Sequence, residues 1–169
     1  MHRVLSAAIA VALLIVSGCG FHLRGQDASA RNLPPLQVEL RDARSPLGRA
    51  VLNAMARNHI VTDAKDAQLR VHVTGQREER RGRTLTRGIQ VAEFDLNVEL
   101  RYELFDGKGQ LVLAEQRLVA TRVYTRNAVN LLTNETTEDL LWQELRVDVA
   151  DQLVAALAAR RVIPFAAAK

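Results

Sequence analysis

Three sets of residues in this 169-residue chain have the types and spacing to do chemistry. The first is its only cysteine, Cys19, in the run Val16-Ser17-Gly18-Cys19-Gly20. A small-small-Cys triplet after an apolar run has the form of a lipobox. At such a site a bacterial secreted protein is cut, and the new N-terminal cysteine is acylated on its sulfur and its amino group. Each buried methylene then contributes about 0.8 kcal/mol, and two or more chains make a stable anchor where one is marginal. Val16 stands where leucine is the usual choice. An acylated sulfur is spent as a nucleophile, a disulfide partner or a zinc ligand. The second set is Arg77, Arg80, Arg81, Arg83 and Arg87, five arginines in eleven residues. Their planar forks suit phosphate, and their density makes a local positive field. Glu78 and Glu79 lie among them and can neutralise part of it. The third set has chemical groups without chemical spacing. His22, His59 and His72 are far apart and form no metal-binding pattern. Glu93, Asp95, Glu99 and Glu103 fall on the polar side of an alternating pattern, as a solvated strand face does. No glycine-rich phosphate loop or G-x-S-x-G elbow is present. The chain reads as a non-enzyme needing no cofactor or metal.

The elements that position these groups follow from patterning. Residues 1–18 read as a signal peptide: His2 and Arg3, then an apolar run over 4–16 broken only by Ser6. Thirteen residues fall short of the roughly 20 that a membrane span needs. Their removal takes away Arg3 and no acidic residue, so the formal charge drops from +4 to +3. That mild excess does not imply nucleic acid, and no aromatic is interleaved with the arginines to stack on bases. Residues 19–33 are the lipidated cysteine and its linker, 34–165 one domain, and 166–169 a tail.

Within the domain, residues 36–41 alternate as a half-buried strand. Ser45 and Pro46 open a helix as N-cap and first helical residue. Its apolar stripe is Leu47, Ala50, Val51, Ala54 and Met55, running to Asn58, and it ends at Asn58-His59. Residues 68–75 alternate as a second strand, either parallel to and beside the first or separated from it by another strand. The arginine-rich stretch 76–88 has no apolar period and reads as a long hairpin connection with ragged strand ends. Residues 91–105 give the clearest signal, with Phe94, Leu96, Val98, Leu100, Tyr102 and Leu104 on one side and Glu99 turned away. Asp106-Gly107-Lys108-Gly109 is a hairpin turn. Residues 110–124 return with Val112, Ala114, Leu118, Ala120 and Tyr124 on one face and Leu111, Leu113, Val119 and Val123 on the other. A loop spans 125–133. The last helix starts near Asn134 as N-cap, with Glu135, Glu138 and Asp139 in its first turns and Arg160 and Arg161 in its last. Leu141, Leu145, Val149, Leu153, Ala156 and Leu157 form its inner stripe, Trp142 lies at the stripe's edge, and Pro164 stops it. The expected fold is α+β: a four-stranded, mostly antiparallel or mixed sheet with two helices packed on one face, in the order β-α-β-β-β-α.

Three motifs in order resemble a known family. Cys19-Gly20-Phe21-His22-Leu23-Arg24-Gly25, the helix opening Ser45-Pro46-Leu47-Gly48-Arg49-Ala50-Val51 and the stretch Arg87-Gly88-Ile89-Gln90-Val91-Ala92-Glu93-Phe94 are similar to the LPS-assembly lipoprotein LptE (RlpB) family. The resemblance implies a lipid-anchored protein on the periplasmic side of the cell outer membrane. Gly20 rather than Asp after the cysteine resembles an outer-membrane address. It further implies a non-catalytic plug that seats in the LptD barrel, helps it assemble and binds lipopolysaccharide. Lipopolysaccharide carries phosphates, and the dense cation source Arg77, Arg80, Arg81, Arg83 and Arg87 supplies the candidate contacts, with Arg87 placed by the resemblance just before the long strand. The alternative is an outer-membrane lipoprotein adaptor of another envelope lipid-transport or secretion complex.

Overall fold

The computed structural model describes residue 33 and residues 35–63, 67–85, 91–127 and 131–160. Cys19, Arg87, Arg161 and Pro164, with the expectations placed on them, lie outside the described residues. The element order is β1 (Leu36–Leu40), α1 (Pro46–Arg57), β2 (Leu69–Leu85), β3 (Val91–Asp106), β4 (Leu111–Asn127) and α2 (Leu131–Arg160). The sheet runs β1-β2-β3-β4. β1 and β2 are parallel neighbours, and the other two pairings are antiparallel. Two helices and a mixed sheet in this order are the expected fold.

The even-numbered side chains of β3 make the floor of the core. Leu96, Val98 and Leu100 have no exposed surface, and Tyr102 and Leu104 are buried. α1 adds Leu47, Val51, Ala54 and Met55, while α2 adds Leu145, Val149, Leu153 and Leu157. The α1 terminus is built as its residues dictate. The Ser45 hydroxyl accepts the Gly48 N–H at 2.9 Å, and Pro46 takes the first position, where no N–H is needed. At the other end His59 sits at φ 57°. The Ile60 N–H donates to Met55 O and the His59 N–H to Ala56 O. That is a Schellman closure with histidine in the place glycine usually fills, and Met55 and Ile60 are both buried beside it.

Four expectations are corrected. First, residues 76–85 are not a hairpin connection but the second half of β2, paired with β3 as far as Leu85↔Ala92. A strand as long as β3 needs partners for its backbone groups along its length, and polar residues can supply them. Second, β4 runs on to Asn127, the register partner of Val91. Third, α2 starts at Leu131 rather than Asn134, so its first turn holds no acidic residue. Extending a helix is easy once it is nucleated, and no glycine or proline stands between 131 and 160 to stop it. Fourth, register shifts around Leu104 rotate the start of β4. Leu113 therefore packs toward the core, while Val112 and Ala114 are exposed. The hairpin turn itself is as expected, with Gly109 at φ 80° and the Asp106 carboxylate accepting the N–H groups of Lys108 and Gln110.

Candidate functional site

Arg77, Arg80, Arg81 and Arg83 lie on β2, and one bulge decides where the first three point. Val71 and Val73 face the helices. A register shift between Val73 and Gly75 changes the parity. Beyond it Gln76, Glu78, Arg80 and Gly82 lie opposite Leu100, Val98, Leu96 and Phe94, on the helix side. Arg77, Glu79 and Arg81 lie opposite Glu99, Asn97 and Asp95, on the open side.

On the helix side polar pairs replace apolar burial. The Arg146 guanidinium on α2 donates in a fork to Glu78, Nε to Oε1 at 2.8 Å and Nη2 to Oε2 at 2.7 Å. That carboxylate raises the arginine's pKa above its ordinary value. Arg80 Nη1 reaches Glu138 at 3.2 Å, and its guanidinium stands 4.9 Å over the Phe94 ring. Phe94 stacks on Tyr124 with centroids 6.4 Å apart. Burial pushes the Tyr124 hydroxyl above its ordinary value. Trp142 Nε1 donates to Glu138 at 3.4 Å. Gln76 Nε2 is buried without a hydrogen-bond partner.

The open side carries an ion-pair lattice. Glu79 is shared by Arg77 (3.3 Å) and Arg81 (2.8 Å), and Arg83 lies 3.9 Å from Asp95. The Arg81 hydrogen bond holds the Glu79 carboxyl below the usual carboxylate range. Across the sheet Glu99 is gripped by Arg117 at 2.6 Å and Arg101 at 3.0 Å, with Arg117 the main cause of its lowered pKa. Thr121 donates to Asn97 at 2.7 Å. The structure therefore splits the sequence-defined cluster. Arg80 turns to the helix side. Arg77, Arg81 and Arg83, each more than half exposed, are together on the open side with Glu79 and Asp95, an excess of one positive charge. Such a comb can exchange its carboxylate partners for phosphate oxygens. Two partners of the cluster, Glu138 and Arg146, could not be read from spacing, because the pairs are formed 58 and 68 residues apart in the chain.

The other chemical groups stay apart. His59 closes a helix, and His72 lies 3.9 Å from Glu103 on the open side. Among the described residues no group of three histidine, cysteine or acidic side chains could hold a metal ion. No helix among them is long and apolar enough to cross a membrane.

The lipopolysaccharide-assembly family LptE has a profile that matches residues 33–157, from the strand before α1 into the last turns of α2. The LPS-assembly lipoprotein LptE of Pectobacterium atrosepticum is 29% identical over 157 residues, covering 90% of this chain and 84% of that protein. That of Yersinia pestis is 27% identical over 156 residues, covering 90% and 74%. Among solved structures, lipoprotein B of Nitrosomonas europaea superposes with a TM-score of 0.70 at 19% identity, covering 85% of this chain and 94% of that one. Rare lipoprotein B of Shewanella oneidensis gives 0.63 at 22%, covering 76% and 96%. These likenesses show the two-helix, four-strand fold. The family match takes in both helices and all four strands, and the chain belongs to the LptE family of lipopolysaccharide-assembly proteins.

Proposed function

We propose that this protein is an outer-membrane lipoprotein, anchored through Cys19 after removal of residues 1–18, that plugs and helps assemble the LptD barrel and binds lipopolysaccharide during its delivery to the cell surface. The observation that carries the reading is the open side of the sheet. It spans three long strands, no described element covers it, and it presents an ion-pair lattice rather than an apolar patch. The lumen of a large barrel is polar, and a polar, rigid face suits it better than an oily one. Within that face Arg77, Arg81 and Arg83 are the proposed contacts for lipopolysaccharide phosphates, with Arg80 at their margin and Arg87 beyond it in sequence. The two helices pack on each other, α2 also packs on β3 and β4, and the apolar stripes of both are buried in the common core.

The test is co-purification of the full chain from detergent-solubilised envelopes. The expected partner is a large outer-membrane barrel, retained by wild type and weakened when Glu99 and Asn97 are both replaced by lysine. Recovery of an inner-membrane transporter without a barrel would favour the adaptor role instead. Cys19→Ala should abolish palmitate labelling.

A further inference from the structure

β2 has two neighbours for only part of its length. β1 pairs with it up to Leu40↔Val73 and then ends. From residue 75 to 85 β2 pairs with β3 alone, and among the described residues no other backbone group reaches that edge. At Glu78 the main chain is open to solvent. Glu78 is an exposed residue although only 29% of its side chain is exposed. The outer edge of β1 is different, since Val61 O and Thr62 O accept the N–H groups of Leu36 and Val38. An unpaired row of donors and acceptors is a template for another strand.

Beside the open edge lies a cavity of about 570 Å³ where β1 gives way to α1, lined by Arg41, Asp42, Ser45, Leu47, Gln76 and Glu78 among others. Its acidic groups are engaged. Glu78 is held by Arg146, and Asp42 Oδ1 accepts the N–H groups of Arg44 and Ser45. Its donors are not. Gln76 Nε2 is buried and unpartnered. The guanidinium group of Arg41 has no partner among the described residues. A buried donor without an acceptor costs about 1–3 kcal/mol, so the cavity is short of an acceptor.

We propose that the β2 edge over residues 75–85 receives an extended, acidic segment of another polypeptide as a fifth strand, in line with β1, with one of its acceptor side chains entering the cavity to meet Gln76 and Arg41. Strand addition supplies the missing main-chain bonds, and alternate side chains then fall on the two faces. Those on the helix side meet Gln76 and Arg41. Those on the open side meet the arginine excess at Arg77, Arg81 and Arg83. A phosphate-bearing lipid would satisfy the guanidinium groups and leave the main-chain edge unused. The strand would share Arg77, Arg81 and Arg83 with the lipopolysaccharide reading, but the backbone edge and the cavity are its own.

The test uses the full chain in detergent micelles and a fluorescent peptide of alternating glutamate and threonine. Two further versions of the peptide carry N-methyl groups on alternate amides, one in each phase. The parent should bind in a salt-sensitive way, and one methylated phase should lose about tenfold or more in affinity. Bound peptide should slow amide hydrogen exchange within 75–85 and leave 111–127 unchanged. Gln76→Leu and Arg41→Gln should each weaken binding. Failure of the peptide to bind, equal binding by both methylated phases, or protection at β4 instead would overturn the proposal. So would displacement of the peptide by phosphatidylglycerol vesicles with no amide protection at any stage, which would assign the arginines to a lipid surface.

Discussion

The two halves of β2 solve the same problem in opposite ways. Over residues 69–73 the helix-facing side chains are apolar, and Val71 and Val73 are buried in the common core. Over residues 76–82 the strand faces the same way but meets α2 through Glu78–Arg146 and Arg80–Glu138. The first half is held by area removed from water, at about 1.5–3 kcal/mol for each fully buried aliphatic side chain. The second half adds ion pairs that are partly exposed, and such pairs contribute much less. One end of the sheet is therefore a core and the other a latch, joined by a bulge.

The comparison breaks most visibly in the core. Leu100→Asp places a charge at a position with no exposed surface, and unfolding in urea should show a loss of about 4 kcal/mol or complete failure to fold. The latch should respond less. Arg146→Met leaves Glu78 without its fork in a site where the two side chains are 19% and 29% exposed. A loss of about 1–2 kcal/mol is expected, below the cost of breaking a fully buried pair. Adding Glu78→Leu should recover part of it. A larger loss from Arg146→Met than from Leu100→Asp would invert the assignment of core and latch.

The same contrast explains what was legible in the chain. Period two over β3 and the Ser45-Pro46 cap are local signals, and both elements formed as expected. The far half of β2 carries no such signal. Alternation marks a strand only when one side is apolar, and here Gln76, Glu78 and Arg80 face partners on α2 instead. The direction of each arginine was illegible for a second reason. One extra residue at the Val73/Gly75 shift exchanges the two faces. Without it Arg77 and Arg81 would face the helices and Arg80 the open side. The density of the cluster was readable, but its division between a latch and an open comb depends on a bulge set by tertiary pairing.

A smaller effect separates the lattice from the latch through pH. Arg117 and Arg101 hold the Glu99 carboxyl below its ordinary value of 4.5. A carboxyl whose pKa is lower folded than unfolded adds stability above the unfolded value, and the gain is lost as pH falls through the folded value. Glu99→Gln should therefore be slightly less stable than wild type near neutrality, by no more than about 1 kcal/mol. The two proteins should converge as pH drops below 4.5. A constant difference across that range would assign the effect to packing.

The smallest expected change in stability is at the comb. Replacing Arg77, Arg81 and Arg83 together by glutamine removes three exposed guanidinium groups whose partners, Glu79 and Asp95, can turn to water. Surface changes of this kind shift unfolding by about 0.5 kcal/mol or less each. Binding should behave differently. If these arginines take lipopolysaccharide phosphates, titration of the full chain in detergent should show affinity falling in the triple variant and falling with salt in wild type, since the groups are exposed and screened. A lysine triple variant separates two forms of the contact. Lysine keeps the charge and loses the planar fork, so it restores binding to a diffuse field and fails to restore a bidentate contact. An Arg80→Gln variant gives the internal contrast, because that side chain is already engaged by Glu138 and Phe94. It should lower stability more than any single open-side change and lower binding less. Loss of binding in Arg80→Gln with none in the triple variant would move the lipid contact from the open side of the sheet to the latch.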